Sequence, residues 1–287
     1  MTRKINFGRE LIKAKAVKER TIIPITERVD EACKSGITAV GAFSRSGIKK
    51  ALRKMLDSVD DMDREELFPA LFDLYNLVMA PDLRAKNVFH PSSLQDECSR
   101  MLFYDLGKVP ISDPVVREIS GELQRIFDTG TWYHVYIQNI LYRLGILEQA
   151  EVPVVNKKKY INGKGDGVIK AEVYGERVLL EIKTTNAWNY SKVVFRPFKK
   201  HEYQASIYAK ELGINKILYF YINKDNCQTK EFLMDVNGEM ITEAYTKIDK
   251  IVTSIEEKTT PKRTCANDLV DRAISCPYRT YCFTEKS

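Results

Sequence analysis

No apolar run in the 287-residue chain is long enough to cross a bilayer, and the basic opening MTRKINFGRELIKAKAVKER lacks a continuous apolar stretch and a small-residue cleavage site. These absences speak against a membrane-spanning or secreted protein and lead us to expect a cytoplasmic one without a membrane partner. Internal repeats and low-complexity tracts are missing too, which excludes solenoids and linker-dominated chains. The bulk composition is ordinary, with 44% hydrophobic and 29% charged residues, and the length is enough for one well-buried domain with an appendage or for two modest domains.

Charge is unevenly placed. The net charge is +6, but residues 1–56 hold fourteen Lys or Arg against five Asp or Glu, so the remainder is slightly acidic. Lys13, Lys15, Lys18, Arg20, Arg45, Lys49, Lys50, Arg53 and Lys54 would attract a polyanion through counterion release, or else form a solvated helical face. GIKKALRKML and DREELFPALFDLYNLVM have apolar residues at helical spacing, the second with acidic residues in its first turn. A boundary falls near 81–91, where Pro81, Asn87, His90 and Pro91 interrupt periodicity. We therefore divide the chain into a basic, mostly helical region 1–85 and a second domain 86–287.

In the second domain, helices are expected over about 92–106 and 114–145, the latter interrupted near Asp128, Thr129 and Gly130. Strands follow in AEVPVVN, KYINGKGDGVIKAEV and RVLLEIKTT, then a helix in KKHEYQASIYAKEL closed by Gly213. Two more strands, KILYFYI and QTKEFLM, flank the turn Asn223-Lys224-Asp225-Asn226, and a helix over about 239–257 precedes a cysteine-bearing tail. This order predicts an α/β fold with a mixed central sheet flanked by helices.

Counting outward from the turn at Tyr174-Gly175 sets Asp166 opposite Glu181–Lys183, and the two-residue strand period puts Glu181 and Lys183 on one face. A carboxylate and an amine on an otherwise apolar strand need a partner: either they form a buried ion pair, or the acids supply hard oxygen ligands to Mg²⁺ or Mn²⁺. Gly165 and Gly167 around Asp166 permit close approach of a large ligand. Gln204 and Tyr208 lie four apart on one helical face.

The runs GDGVIK, LLEIKTT and HEYQASIYA resemble the motifs of the RecB-like branch of the PD-(D/E)XK nucleases, over roughly residues 91–287. The resemblance implies a restriction-endonuclease-like core behind a helical N-terminal extension, with Asp166 as first acid, Glu181-x-Lys183 as second element and Gln204-xxx-Tyr208 as the branch's Q-xxx-Y element. His134, in GTWYHVYIQ, matches the family's helical histidine; the alternative is a packed core residue. By the same resemblance His134, Asp166, Glu181 and the carbonyl of Ile182 would hold the divalent ion. Lys183 would orient or deprotonate the attacking water, and Gln204 and Tyr208 would position the substrate or the lysine. The expected activity is hydrolysis of DNA, single-stranded or with free ends, by exonuclease rather than endonuclease action, with a helicase or recombination protein as a further partner. A nucleic-acid-binding module with a non-catalytic nuclease fold is the alternative.

The six cysteines are Cys33, Cys98, Cys227, Cys265, Cys276 and Cys282. In a reducing compartment they suggest metal before disulfides. Cys98 ahead of the nuclease motifs and Cys265, Cys276 and Cys282 behind them resemble the iron-sulfur nucleases of the AddB type and of CRISPR adaptation, which implies a 4Fe-4S cluster on these four thiolates. The spacing departs from those families: ten residues separate Cys265 from Cys276, where two are usual, and Zn²⁺ is the rival metal. Cys33 and Cys227 are expected to be small core residues.

Overall fold

The computed structural model describes residues 87–113 and 120–284, with scattered positions between 48 and 74. Helical backbone at Ile48, Lys50–Arg53, Met55, Glu66, Leu67, Ala70, Leu71 and Leu74 falls in the two stretches read as amphipathic helices. The basic residues before Ile48, Cys33 and the boundary at 85/86 lie outside the described residues.

Two helices, α1 (Pro91–Leu94) and α2 (Ser99–Leu106), replace the single one expected over 92–106. The break comes at Cys98, which is extended (ψ 134°) and serves as the N-cap of α2. Next, α3 (Gly121–Arg143) begins at Ser120, whose hydroxyl accepts the Leu123 amide. It continues without interruption through 128–130, contrary to the sequence reading. Breaker-type residues are satisfied inside the helix: the hydroxyls of Thr129 and Thr131 donate back to the carbonyls of Arg125 and Phe127. At Gly130 a Cβ would stand 3.2 Å from Thr184 Oγ1, so the missing side chain lets the helix lie close to the sheet.

The sheet then forms from β1 (Leu147–Asn156), β2 (Ile161–Ile169) and, after a one-turn α4 (Ala171–Tyr174) closed by Gly175 at φ +79°, β3 (Val178–Thr185). A crossover through α5 (Ala187–Lys192) and α6 (Lys199–Leu212) leads to β4 (Lys216–Asn223) and β5 (Thr229–Asp235). The chain ends its described part with α7 (Gly238–Glu256), α8 (Asp271–Ile274) and α9 (Arg279–Thr284). Sheet order is β1-β2-β3-β4-β5, antiparallel except for β3 with β4, so the fold is α/β with a mixed five-stranded sheet, as the element order predicts.

Alternation along β3 sorts the two faces. Leu180 and Ile182 pack with Leu218, Ile222 and α3 residues Tyr133, Ile137 and Leu141. Leu179 packs on the other face with Val168, Tyr219, Tyr221 and α6 residues Ala205, Tyr208 and Ala209. A third cluster holds α1, α2 and α7 against α6 through Leu94, Leu102, Tyr203, Ile207, Ala244 and Ile248. Cys227 is not a core residue: it sits exposed at φ +62° in the β4–β5 turn, with the Tyr133 hydroxyl 3.2 Å from its sulfur.

Candidate active site

The ladder between β2 and β3 is short. It pairs Gly167 with Leu180, Val168 with Leu179 and Ile169 with Val178, and no pair is made beyond Gly167. Two residues further along β3 the Ile182 amide donates to Asp166 Oδ2 at 2.6 Å, so a side-chain carboxylate takes the place of a strand carbonyl. The sheet forks here. One helix therefore reaches the fork from each face, α3 with His134 and α6 with Gln204 and Tyr208.

Five of the sequence-selected side chains meet at this fork. His134 Nδ1 lies 3.1 Å from Asp166 Oδ1, Lys183 Nζ donates to Glu181 Oε2 at 2.8 Å, and the same Nζ reaches Gln204 Oε1 at 3.4 Å. Gln204 Nε2 in turn donates to the Tyr208 hydroxyl at 3.3 Å, which makes Tyr208 the outer end of the chain. Ile182 contributes its amide to Asp166.

Charge is regulated by burial against pairing. Glu181 is only 1% exposed, and burial, outweighing the nearby Lys183 cation and helped by the Asp166 charge, pushes its carboxyl up to about 7. Burial also acts on Asp166, but the His134 hydrogen bond and charge, Lys183 and the Ile182 amide overcome it and hold the carboxyl below its usual value. Burial would discharge His134 and Lys183; the neighbouring carboxylates win, and both cations are held above their ordinary values.

These signs give a testable pH dependence. Glu181 and His134 have raised folded-state pKa values, so each adds stability that is complete below its unfolded value and is lost as pH rises through its folded one. In EDTA the thermal midpoint should fall between about pH 5 and 8, and Glu181→Gln should flatten much of that fall. A midpoint that climbs over this range would contradict the assignment.

Donor chemistry at the fork suits a hard divalent cation. Glu181 Oε1 is buried without a hydrogen-bond partner, an acceptor left over in a place where none should be. Among the described residues, however, no group of three or more His, Cys, Asp or Glu side chains is arranged around a common metal position. The reason is local: both oxygens of Asp166 and one of Glu181 are turned to His134, the Ile182 amide and Lys183.

Two residues of the cluster escaped the sequence reading. Gln138, one turn after His134, donates from Nε2 to Glu151 Oε1 and to the Asp166 carbonyl, both at 2.8 Å. The register brackets Glu151 against Asp166, since Ala150 pairs with Gly167 and Val152 with Gly165. Glu151 also has φ +52°, uncommon for a residue with a side chain, and pairs with Lys164 at 2.7 Å. The His134-xxx-Gln138 spacing was a usable signal; Glu151 had none.

Gly163 on β2 sets the position of Tyr208. A Cβ there would stand 2.6 Å from Tyr208 Cε1 and 2.7 Å from its hydroxyl oxygen. Gly163→Ala should cost about 1–3 kcal/mol of stability by forcing the ring aside. Because the ring holds Gln204, and Gln204 holds Lys183, the arrangement of the cluster, and with it any turnover it supports, should suffer more than folding. Unfolding and turnover both unchanged would contradict this coupling.

Cys98, Cys265, Cys276 and Cys282 line one cavity of about 500 Å³ between α2 and the tail. Burial, and then the charges of Cys282, Cys98 and Cys265, push the Cys276 thiol up. Burial acts on Cys98 as well, but hydrogen bonds from Thr264 and the Met101 and Arg100 amides at the start of α2 overcome it and lower that thiol.

Neither a protein-family model nor a curated protein matches the sequence. Among solved structures, SSO0001 is 16% identical, with 84% of this chain and 95% of that one covered at a TM-score of 0.42. An alkaline exonuclease from Laribacter hongkongensis is 13% identical over 60% of this chain and 89% of its own, with a TM-score of 0.45. The same exonuclease in complex with dAMP is 14% identical over the same shares, again at 0.45. These likenesses assign no activity to this chain.

Proposed function

We propose that the protein is a divalent-metal-dependent deoxyribonuclease of the PD-(D/E)XK type that hydrolyses phosphodiester bonds in single-stranded DNA or at DNA ends. The observation that carries this reading is the forked sheet, where the His134–Asp166 and Glu181–Lys183 pairs converge beside an unsatisfied Glu181 oxygen. Asp166, Glu181, His134 and the Ile182 carbonyl would hold Mg²⁺ or Mn²⁺, which when bound supplies an activated water and offsets charge on the phosphorane-like transition state. Lys183 Nζ, kept cationic by the acids around it, orients the attacking water and stabilises negative charge. Gln204 fixes that amine, and Tyr208 fixes Gln204. DNA is the proposed partner, the basic region 1–56 the proposed source of added affinity, and a helicase or recombination protein a proposed associate.

Incubation of labelled single-stranded and duplex DNA with Mn²⁺ or with EDTA tests the reading. Cleavage in Mn²⁺ and none in EDTA is expected. Binding without turnover at saturating Mn²⁺ would return the alternative, a binding module with a non-catalytic nuclease fold.

The four cavity cysteines are proposed to hold a 4Fe-4S cluster. Support comes from four thiols on one cavity, one of them with a lowered pKa, although the side chains described form no closed metal group. Protein purified without oxygen should be brown, with broad absorbance near about 400 nm, and Cys276→Ser or Cys282→Ser should lose both colour and stability. A colourless protein with stoichiometric zinc would overturn the cluster in favour of the rival metal.

A further inference from the structure

The segment that leaves β3 immediately after the candidate site exposes a row of apolar side chains. Trp188 on α5 is 70% exposed and Phe195, in the connection to α6, is 92% exposed, with Val194 beside it at 54%. Single exposed apolar residues are common on protein surfaces, but here three fall within eight residues. Trp188 is also held in place. Lys192 Nζ lies 4.4 Å from its ring centroid, and the N-terminus of α5 is pinned because Asp225 Oδ2 accepts the Ala187 amide and Asn186 accepts that of Asn189.

The same α5 forms one wall of a cleft of about 800 Å³ that opens beside the C-terminal end of β3. Thr184, Thr185 and Asn186 continue directly from Lys183 into its lining, so the cleft begins within roughly 10 Å of the catalytic amine along the chain. Lys199, Lys200 and Lys224 line it as cations. Of its two acids, Asp96 and Asp225, the second is committed to the α5 amide. His201, also on the wall, is kept neutral, pushed down to about 3 by burial and by the nearby Lys183 and Lys200 charges.

Trp188 and Phe195 stand outside the cleft lining, but exposed aromatic faces on the segment that walls a lysine-lined cleft suit a ligand that alternates flat bases with phosphates. We propose that Trp188 and Phe195 form a stacking platform, with Lys192, Lys199, Lys200 and Lys224 as phosphate contacts, that grips single-stranded DNA and feeds it toward Lys183. Duplex DNA keeps its bases stacked inside and exposes a base face only at each end, so it offers the rings far less to cover. The proposal deepens the nuclease reading and rests on it for its choice of ligand.

The chain has two tryptophans, so Trp132→Phe leaves Trp188 as the sole tryptophan, excited selectively at wavelengths where tyrosine does not absorb. Titration of that variant with oligothymidylate in EDTA should give saturable quenching, several-fold stronger than with blunt duplex of equal length. Fluorescence anisotropy of labelled oligothymidylate should show about tenfold weaker binding for Trp188→Ala and for Phe195→Ala, with Trp188→Phe close to the parent. Absence of quenching, equal quenching by blunt duplex, or alanine variants within about twofold of the parent would overturn the platform. Because EDTA removes turnover, the two readings fail separately. Quenching without any cleavage in Mn²⁺ sinks the nuclease and keeps the platform, whereas cleavage without quenching does the reverse.

Discussion

Asp166→Asn and Glu181→Gln are each expected to slow DNA cleavage by about 10³-fold, with DNA affinity largely kept. Both substitutions preserve volume, so the loss would come from charge. Asparagine at 166 retains an oxygen to accept the Ile182 amide, the bond that closes the fork, whereas alanine would leave that amide unsatisfied at a cost of about 1–3 kcal/mol. Asn is therefore the variant that separates chemistry from folding. Glutamine at 181 mimics the protonated acid that burial already favours, so it should fold well and still fail to hold a divalent cation. Turnover within tenfold of the parent in both variants at saturating Mn²⁺, by gel assay, would remove these acids from the mechanism.

Lys183→Met should lower turnover by about 10²–10⁴-fold while Mn²⁺ still binds. Nothing among the neighbours can replace the lost cation: His134 is engaged by Asp166, and Gln204 is neutral. Glu181 would lose its counter-ion and take up a proton more readily, so the stability cost stays below that of stranding a buried charge. The pattern to look for is uncoupling, with calorimetry showing retained Mn²⁺ binding and the cleavage assay showing almost no product. Loss of both together would make Lys183 a structural counter-ion and nothing more.

Much of the fork was readable from the chain because its rules are local or symmetric. The helix Lys199–Leu212 ends where Gly213 takes φ +66°, and the four-residue spacing puts Gln204 against Tyr208. Counting outward from Tyr174-Gly175 set Asp166 against Glu181–Lys183; the ladder runs two positions short of an equal count, with Gly167 on Leu180, because the connection contains a helical turn, yet Asp166 still meets this stretch at the Ile182 amide. The failures have a common physical cause. Thr129, Gly130 and Thr131 look like breakers until the carbonyls and the neighbouring sheet that satisfy them are known. Glu151 reaches the cluster through a left-handed backbone and a glutamine thirteen positions away, and neither leaves a mark in periodicity.

The fork also supplies a gauge. In an ordinary strand pair the Ile182 amide would point at a carbonyl whose charge never changes; here it points at a carboxylate whose charge answers to His134 and to any cation that arrives. Its nitrogen-15 chemical shift should therefore move when the cluster titrates or fills, while the Leu180 amide, paired one step back in the regular ladder, stays still. A single backbone resonance would then follow loading of the centre without substrate, turnover or an attached reporter group.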